Sequence, residues 1–324
     1  MHAVIILLVF ILTYIGMAAG RLPWLQVDRT GIALLGVTAL LGSETVTLDS
    51  LGADIDTSTL VLLFALMIIS AQFVSSGFYD LCADWTMRKS TNAAGLLALT
   101  VGVCGALSAL LANDVVVFTM APLLIAGARS RGLDPRPFLI ALAGASNAGS
   151  AATLIGNPQN ILIGQVGNLS FHTFLLICIV PSLFGLVAVF AVTWLLWHDR
   201  IDATVLAVTR EPTEVPRRRH DRNQTIKGLI GMAALLGLFT TALPREIGGL
   251  VIAALLLSNR KFTSRTMIAA VDWPLLLLFV CLFCITGALA DTGIPWRFIS
   301  MLENHGLLPT SLVVLTPLTL LMSN

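Results

Sequence analysis

The chain has 324 residues, of which 56% are hydrophobic and only 11% are charged, whereas about 25% of the residues of an ordinary soluble domain are charged. This composition excludes an ordinary soluble domain and predicts an all-α, polytopic membrane protein that is surrounded by the lipid bilayer. The formal net charge is +1. No nucleic-acid partner is indicated, because such a partner requires a concentrated basic face.

Apolar segments recur along the chain and predict its membrane helices. In chain order they are 3–19, 30–41, 57–75, 92–112, 115–127, 138–148, 158–164, 171–197, 225–242, 247–258, 273–290 and 307–324. A helix that spans the bilayer alone needs about 20 apolar residues, so several of these segments are too short to cross. The short segments cluster around 113–114 and 146–160, where we expect a re-entrant helical hairpin and a discontinuous transmembrane helix.

Loop charges predict the orientation, because Lys and Arg accumulate in cytoplasmic loops. The longest loop, 199–224, holds six arginines and is predicted to be cytoplasmic, whereas loop 43–56 holds four acidic residues and no basic one and is predicted to be outside. The loops before 92 and after 127 are both basic, so the chain between them enters and leaves on one face. Because segment 115–127 rises only about 20 Å against a bilayer core of about 30 Å, we favour a re-entrant hairpin.

The second half of the chain repeats the pattern of the first. The run that starts at Asp56 and ends at Gly77 has a counterpart that starts at Asp272 and ends at Gly293. The loop charges give these two runs opposite directions across the membrane. The sequence therefore predicts inverted repeats, which are the architecture of many secondary transporters.

The repeats divide the chain into four predicted parts. These are a first transmembrane helix with its connection (1–29), a first repeat with its hairpin tip near 113 and a broken helix at 138–164 (30–198), a cytoplasmic loop (199–224), and a second, inverted repeat (225–324). Continuing the alignment places Asn113 against Asn324. We therefore expect the second repeat to be incomplete, with on the order of 90 residues of its broken helix missing.

The stretch from Ala145 to Gly164 has apolar flanks and a small, polar centre. Gly149, Gly156 and Pro158 each weaken a helix, so we predict that the helix breaks here. In a membrane, unwound backbone is tolerated where it faces protein or water, and it offers carbonyls to a cation and helix N-termini to an anion. The candidate substrate- and ion-binding residues of this stretch are Ser146, Asn147, Gly149, Ser150, Thr153, Asn157 and Asn160.

Asn113 and Asp114 directly follow an unbroken apolar run. An ionisable residue at membrane depth is costly and is a functional-site candidate by default. A structural role is also open, since Asp is a favoured N-cap and Asp114 could cap a half-helix that begins at Val115. We therefore include both residues in the candidate substrate- and ion-binding site.

Other chemistries find little support in the sequence. It contains no G-x-x-x-x-G-K-[ST] loop for ATP and no H-E-x-x-H or G-x-S-x-G motif, so we expect a protein that is not an enzyme and has no cofactor beyond sodium or a proton as coupling ion. Five cysteines exclude a fully paired disulfide framework. Cys281 and Cys284 lie in an apolar run, where we expect them to be packing residues.

The Asn113-Asp114 pair and the run A-S-N-A-G-S-A-A-T-L-I-G-N-P-Q-N resemble the ion transporter superfamily. This superfamily includes the arsenite permeases, the NhaD sodium/proton antiporters and the divalent anion:sodium symporters. The resemblance implies that the hairpin tip at Asn113 and the helix break near Gly149 form one sodium or substrate half-site, with Ser108, Asn113 and Gly149 as the candidate sodium ligands. It also implies a symmetric half-site that opens at Ser323 and Asn324. The dicarboxylate branch typically has S-N-T at the hairpin tip. Here the tip is Ala112-Asn113-Asp114, which favours the arsenite permease or NhaD branch.

Our primary hypothesis is a secondary active transporter in the cytoplasmic (inner) membrane. It moves a small inorganic or organic anion, or an oxyanion-type solute, by alternating access and is driven by an ion gradient. One alternative is a sodium/proton antiporter that uses Asp114, and a second is a sodium-coupled dicarboxylate or citrate transporter. A scaffold or receptor without transport is disfavoured, because it gains nothing from broken helices. A homodimer is left open.

Overall fold

The computed structural model describes residues 2–20, 27–90, 92–201, 218–241 and 243–304, and these ranges are helical without a strand. The helices are α1 (His2–Ala19), α2 (Arg29–Gly42), α3 (Leu48–Asp54), α4 (Thr57–Ser75), α5 (Phe78–Lys89), α6 (Ala93–Leu110), α7 (Asn113–Ser130), α8 (Arg136–Ser150), α9 (Pro158–Val166), α10 (Phe171–Ile201), α11 (Arg222–Leu238), α12 (Arg245–Leu257), α13 (Ser264–Ala269), α14 (Trp273–Asp291) and α15 (Ile294–Asn304).

Five of the described helices, α1, α4, α6, α10 and α14, are long and apolar enough to cross a membrane. The expectation of an all-α, polytopic membrane protein is thus confirmed. The start and end of α4 coincide with the predicted segment 57–75. The predicted segment 307–324 lies outside the described residues.

The chain folds into two compact units. The first combines Met1–Asp56 with Trp273–Asn324, and the second is Thr57–Asp272. In the first unit, α1, α2 and α3 pack on α14 around a core of Ile6, Leu40, Ile285 and Ala288. In the second unit, α11, α12 and α13 pack on α4, while α6, α7 and α10 surround α8. The four-part division predicted from the sequence stays a prediction.

The helix starts carry the internal repeat with a constant spacing. Helices α12, α13, α14 and α15 begin at residues 245, 264, 273 and 294, which is 216 residues after α2, α3, α4 and α5 begin at 29, 48, 57 and 78. The packing is also equivalent in the two halves of the chain. Helices α2 and α3, which precede α4, pack on α14, and helices α12 and α13, which precede α14, pack on α4. The helix at the centre of each group thus comes from the other half of the chain. Their opposite direction in the membrane stays a prediction.

Helices α6 and α7 form a hairpin that turns at Leu111 and Ala112. Its base is closed by Arg131, whose Nη1 donates to Ser90 Oγ (3.0 Å) and whose Nη2 donates to the carbonyls of Ser90 (3.0 Å) and Met87. The loops before α6 and after α7 therefore lie side by side, as their shared charge predicted. A cation at the end of α5 also suits the negative end of that helix dipole.

One part of the hairpin prediction is wrong. Helix α7 has 18 residues rather than the expected 13, because Asn113 and Asp114 belong to the helix and it continues to Ser130. Eighteen residues rise about 27 Å, which nearly matches the bilayer core, so helix length no longer argues for a hairpin that turns back inside the membrane. The depth of the tip stays a prediction.

Candidate functional site

The candidate site lies where the tip of the α6–α7 hairpin meets the break between α8 and α9. Helix α8 ends at Ser150, α9 begins at Pro158, and residues 151–157 form turns between them. The predicted interruption between Ala148 and Pro158 is therefore confirmed. The amide of Asn113 donates to the carbonyl of Gly156 at 3.3 Å, so the hairpin tip contacts the unwound segment directly.

Two glycines allow α6 and α8 to approach at the site. A Cβ atom on Gly149 would collide with the carbonyl and Cα of Gly105, so backbone packs against backbone at this crossing. Small residues permit such close approach between membrane helices. Gly149 therefore has a packing role in addition to the binding role predicted for it.

Hydroxyl groups link the helices on either side of this crossing. Ser108 Oγ donates to Ser146 Oγ (3.0 Å), and Ser146 Oγ lies 3.2 Å from the carbonyl of Asn113, which accepts from it. Thr153 Oγ1 donates to the carbonyl of Ala109. Ser108 and Ser146 are fully buried, and Thr153 is 3% exposed. Three of the predicted residues thus form a buried polar connection between the hairpin and the broken helix.

The side chain of Asn113 is incompletely satisfied. Its Nδ2 donates to Asn147 Oδ1 at 3.5 Å. Its Oδ1 is buried and has no hydrogen-bond partner among the described residues. A buried acceptor without a donor is unfavourable by about 1–3 kcal/mol, and a bound cation or water would supply the missing partner.

Asn157 and Asn160 hold the unwound segment in place. Asn157 caps α9 by accepting from the amide of Asn160 (2.8 Å), and its Nδ2 donates to Ser150 Oγ (3.1 Å). Asn160 Nδ2 donates to the carbonyls of Ser150 (3.2 Å) and Thr153 (2.8 Å). Pro158 occupies the first turn of α9, where its missing N–H is tolerated. Binding roles for the two asparagines and for Ser150 stay predictions.

The proposed capping role of Asp114 is wrong. The N-cap position of α7 is Ala112, which makes no side-chain capping bond, and Asp114 lies in the first turn. Its carboxylate is half-buried and interacts favourably with the positive end of the helix dipole. Asp114 thus places a negative charge directly beside the hairpin tip.

The sequence did not reveal three contributors to this site. Ser70 of α4 is fully buried, and its Oγ accepts from the amide of Ala112 at 3.4 Å. Gly105 and Ala109 of α6 supply the backbone that meets Gly149 and Thr153. Each lies in an apolar run where a small residue is ordinary, so only the helix packing identifies it. Ser323 and Asn324, which were predicted to open the second half-site, lie outside the described residues.

The donor set determines which ions suit the site. The groups that converge here are hydroxyl, amide and carbonyl oxygens. Within the described part of the chain, no cluster of three or more His, Cys, Asp or Glu side chains could hold a metal. Neutral oxygen ligands suit a hard cation such as sodium.

Comparisons with known proteins find similarity to transporters along most of the chain. The profile of the family described as citrate transporter (CitMHS) matches residues 5–324. An uncharacterized transporter of Mycobacterium tuberculosis H37Rv is 30% identical over 304 residues, which is 90% of this chain and 69% of the relative. The silicon efflux transporter of Oryza sativa subsp. japonica is 34% identical over 154 residues (48% and 32%). A transporter named arsB from Dictyostelium discoideum is 28% identical over 181 residues (56% and 32%).

Proposed function

Because this chain belongs to the citrate transporter family CitMHS and is a multi-pass protein of the inner membrane, we propose that it is a secondary active transporter of a small anion or oxyanion-type solute. An ion gradient drives the transport by alternating access. The site is the junction of the hairpin tip and the α8–α9 break.

The buried Oδ1 of Asn113 is the observation that carries this proposal. It lies in a cluster of oxygens and has no donor among the described residues. A scaffold would gain nothing from such an atom, whereas a transporter needs groups whose partner is the transported or coupling ion. We assign the coupling ion, sodium, to Ser108, Asn113 and Gly149. The Ser108–Ser146–Asn113 hydrogen bonds and the Gly105–Gly149 contact, which hold the hairpin against α8, support this assignment.

The two helix N-termini at the junction suit the solute. Helix α7 begins at Asn113 and α9 begins at Pro158, and the start of a helix carries a partial positive charge that favours an anion. The unwound backbone of 151–157 supplies polar groups between them. The family name points to citrate and one relative's name to silicon, which we test as silicic acid, and the resemblance to arsenite permeases adds arsenite as the third solute to test.

Flux in proteoliposomes tests this proposal. We expect uptake of one of these three solutes to depend on a sodium gradient and to fall about ten- to hundredfold in Asn113→Ala, since a polar contact to a charged group contributes about 1.5–3 kcal/mol. The matched control is Asn92→Ala, which removes the N-cap of α6 at the base of the same hairpin. It lowers stability without changing the ion dependence. Equal ion dependence in the two variants would refute the site assignment.

A second candidate function is sodium/proton antiport, and the placement of Asp114 beside the tip favours it. Asp114→Asn removes the titrating group. Because Asp114 is not the N-cap, this substitution removes no side-chain cap of α7, and the loss of charge beside the helix dipole costs about 0.3–1 kcal/mol. The antiport hypothesis expects pH-dependent sodium flux in the original protein and none in Asp114→Asn. Unchanged pH-dependent flux in the variant would remove this candidate.

A further inference from the structure

The two faces of α4 have very different contacts. Residues that are two apart on a helix point in nearly opposite directions, since each residue turns the helix by about 100°. Ser70 therefore faces away from Gln72. Both side chains are fully buried, and the hairpin tip lies on the Ser70 side.

The Gln72 side of α4 is fixed by a dense polar network. Gln72 Nε2 donates to the carbonyl (2.9 Å) and Oε1 (3.0 Å) of Gln224, whose Oε1 also accepts from Asn259 Nδ2 (2.7 Å). One turn further, Thr225 Oγ1 donates to Ser76 Oγ (3.1 Å), and the Asp221 amide donates to the Ser76 carbonyl (2.9 Å). These bonds tie α4 to α11 and to the segment after α12.

The Ser70 side of α4 meets the hairpin tip through one long hydrogen bond, in which Ser70 Oγ accepts from the Ala112 amide at 3.4 Å. The tip is bound much more firmly to the broken helix, through the Asn113–Gly156, Ser146–Asn113 and Ser108–Ser146 bonds. The bond to Ser70 is thus the longest of the hydrogen bonds that hold the tip, although α9 also packs on α4. We expect the hairpin tip and the α8–α9 break to stay together, because more hydrogen bonds join them.

We propose that Ser70 is a positioning residue that holds the hairpin tip in the state seen here, and that the Ser70–Ala112 contact opens during transport while α4 remains attached to α11. This inference rests on the proposed transport function. Ser70 lies five residues before the end of α4, about 8 Å along the axis. The state seen here thus holds the tip near the end of α4 that adjoins the arginine-rich loop.

The reactivity of single cysteines tests this proposal without any solute. Ser70→Cys and Ser76→Cys are a matched pair, because both serines are fully buried near the same end of α4. In sodium-containing proteoliposomes treated with a small water-soluble thiol reagent, mass spectrometry of the peptides separates each new cysteine from the five native ones. We expect Cys at 70 to react at least about tenfold faster than Cys at 76, since only its contact opens. Equal rates would overturn the proposal.

A cross-link provides the second measurement. In Ser70→Cys/Ala112→Cys, a short bifunctional thiol reagent is expected to abolish flux of the transported solute, and in Ser76→Cys/Thr225→Cys it is expected to leave flux unchanged. Flux that survives the first cross-link would overturn the proposal. If no variant transports citrate, arsenite or silicic acid, the proposed function fails. The cysteine rates still decide whether the Ser70 contact opens.

Discussion

Gly77 and Gly293 occupy equivalent corners of the two repeats and yet have different surroundings. Gly77 lies between α4 and the shorter α5, Gly293 lies between α14 and the shorter α15, and each has a φ of +70°. The backbone hydrogen bonds are also alike, since the Gly77 amide donates to Val74 and the Gly293 amide donates to Ala290. The same local turn chemistry therefore forms both corners, because glycine adopts a positive φ without strain.

The difference lies in what covers each corner. At Gly77, residues 218–221 pack so closely that a Cβ would lie 3.1–3.2 Å from the backbone of Arg218, Arg219 and His220. The Arg218 guanidinium donates to the Val74 carbonyl (2.9 Å), and its amide donates to Asp80 Oδ1 (3.3 Å). At Gly293, among the described residues, a Cβ would meet nothing within 4 Å. Gly77 is thus required by conformation and by contact, and Gly293 by conformation alone.

Of the substitutions at and around these corners, Gly77→Ala is expected to lower the free energy of unfolding most. The substitution places an L-residue in the left-handed region, which costs about 1–2 kcal/mol. It also pushes residues 218–221 off the corner, and overpacking of this kind costs a further 1–3 kcal/mol or so. We expect a loss of about 2–5 kcal/mol in the free energy of unfolding, measured by thermal or denaturant unfolding in detergent. A loss no larger than the strain alone, about 1–2 kcal/mol, would show that residues 218–221 yield without resistance.

Gly293→Ala is expected to have a smaller effect, because only the strain remains. We expect a loss of about 1 kcal/mol, measured under the same conditions as Gly77→Ala. The difference between the two variants isolates the contact with residues 218–221, since the backbone angle is the same at both corners. If Gly293→Ala destabilises the protein as much as Gly77→Ala, contact is not what distinguishes the corners.

These corners also show what a sequence can reveal. The equivalence of Gly77 and Gly293 was predicted from the sequence, because an apolar run of the same length precedes each glycine. The length of an apolar run predicted α4 to the residue, and Gly149, Gly156 and Pro158 predicted the break, because each acts on its own backbone. The packing of residues 218–221 on Gly77 was missed, since the arginines of that loop predict only which side of the membrane it occupies.

The candidate site divides in the same way. Asn113 and Ser146 were identified because polar groups in apolar runs need a partner. Gly105 and Ser70 were not, because small residues in a membrane helix are ordinary packing residues, and only the crossing of α6 with α8 and of α4 with the tip gives them a role. The cap assigned to Asp114 failed because a shift of the helix start by two residues changes which residue is the N-cap.

Arg218→Ala tests which part of residues 218–221 holds the Gly77 corner. The variant loses the bond from the guanidinium to the Val74 carbonyl but keeps the backbone contacts, so we expect a loss of about 0.5–1.5 kcal/mol. Arg219→Ala is the matched control, because the Arg219 side chain makes no hydrogen bond to the described residues. It is expected to change the unfolding free energy by less than about 0.5 kcal/mol. If the two variants lose equal stability, the positive charge of the segment, rather than the bond from Arg218 to Val74, stabilises the Gly77 corner.

The smallest expected effect on stability concerns the ion pair of Asp221, which lies at the end of residues 218–221. Asp221 pairs with Lys261, and it also caps α11 by accepting from the amides of Asn223 (3.1 Å) and Gln224 (3.2 Å). The hydrogen bond from the Lys261 ammonium, followed by those from the backbone, lowers the pKa of Asp221 below its ordinary value. A carboxylate with a lowered folded-state pKa stabilises the protein above its unfolded pKa, and this contribution is lost as the pH falls through the folded pKa.

Asp221→Asn separates the ion pair from the cap, because Asn is an equally good N-cap. At pH 7 we expect Asp221→Asn to melt slightly below the unsubstituted protein, since only the charge is lost. Below about pH 4 the unsubstituted protein loses the same contribution, so the two melting temperatures converge. Asp221→Ala is the reference that loses both roles, and it is expected to stay below Asp221→Asn at every pH. A constant gap between Asp221→Asn and the unsubstituted protein down to pH 3 would show that the charge on Asp221 does not hold this corner.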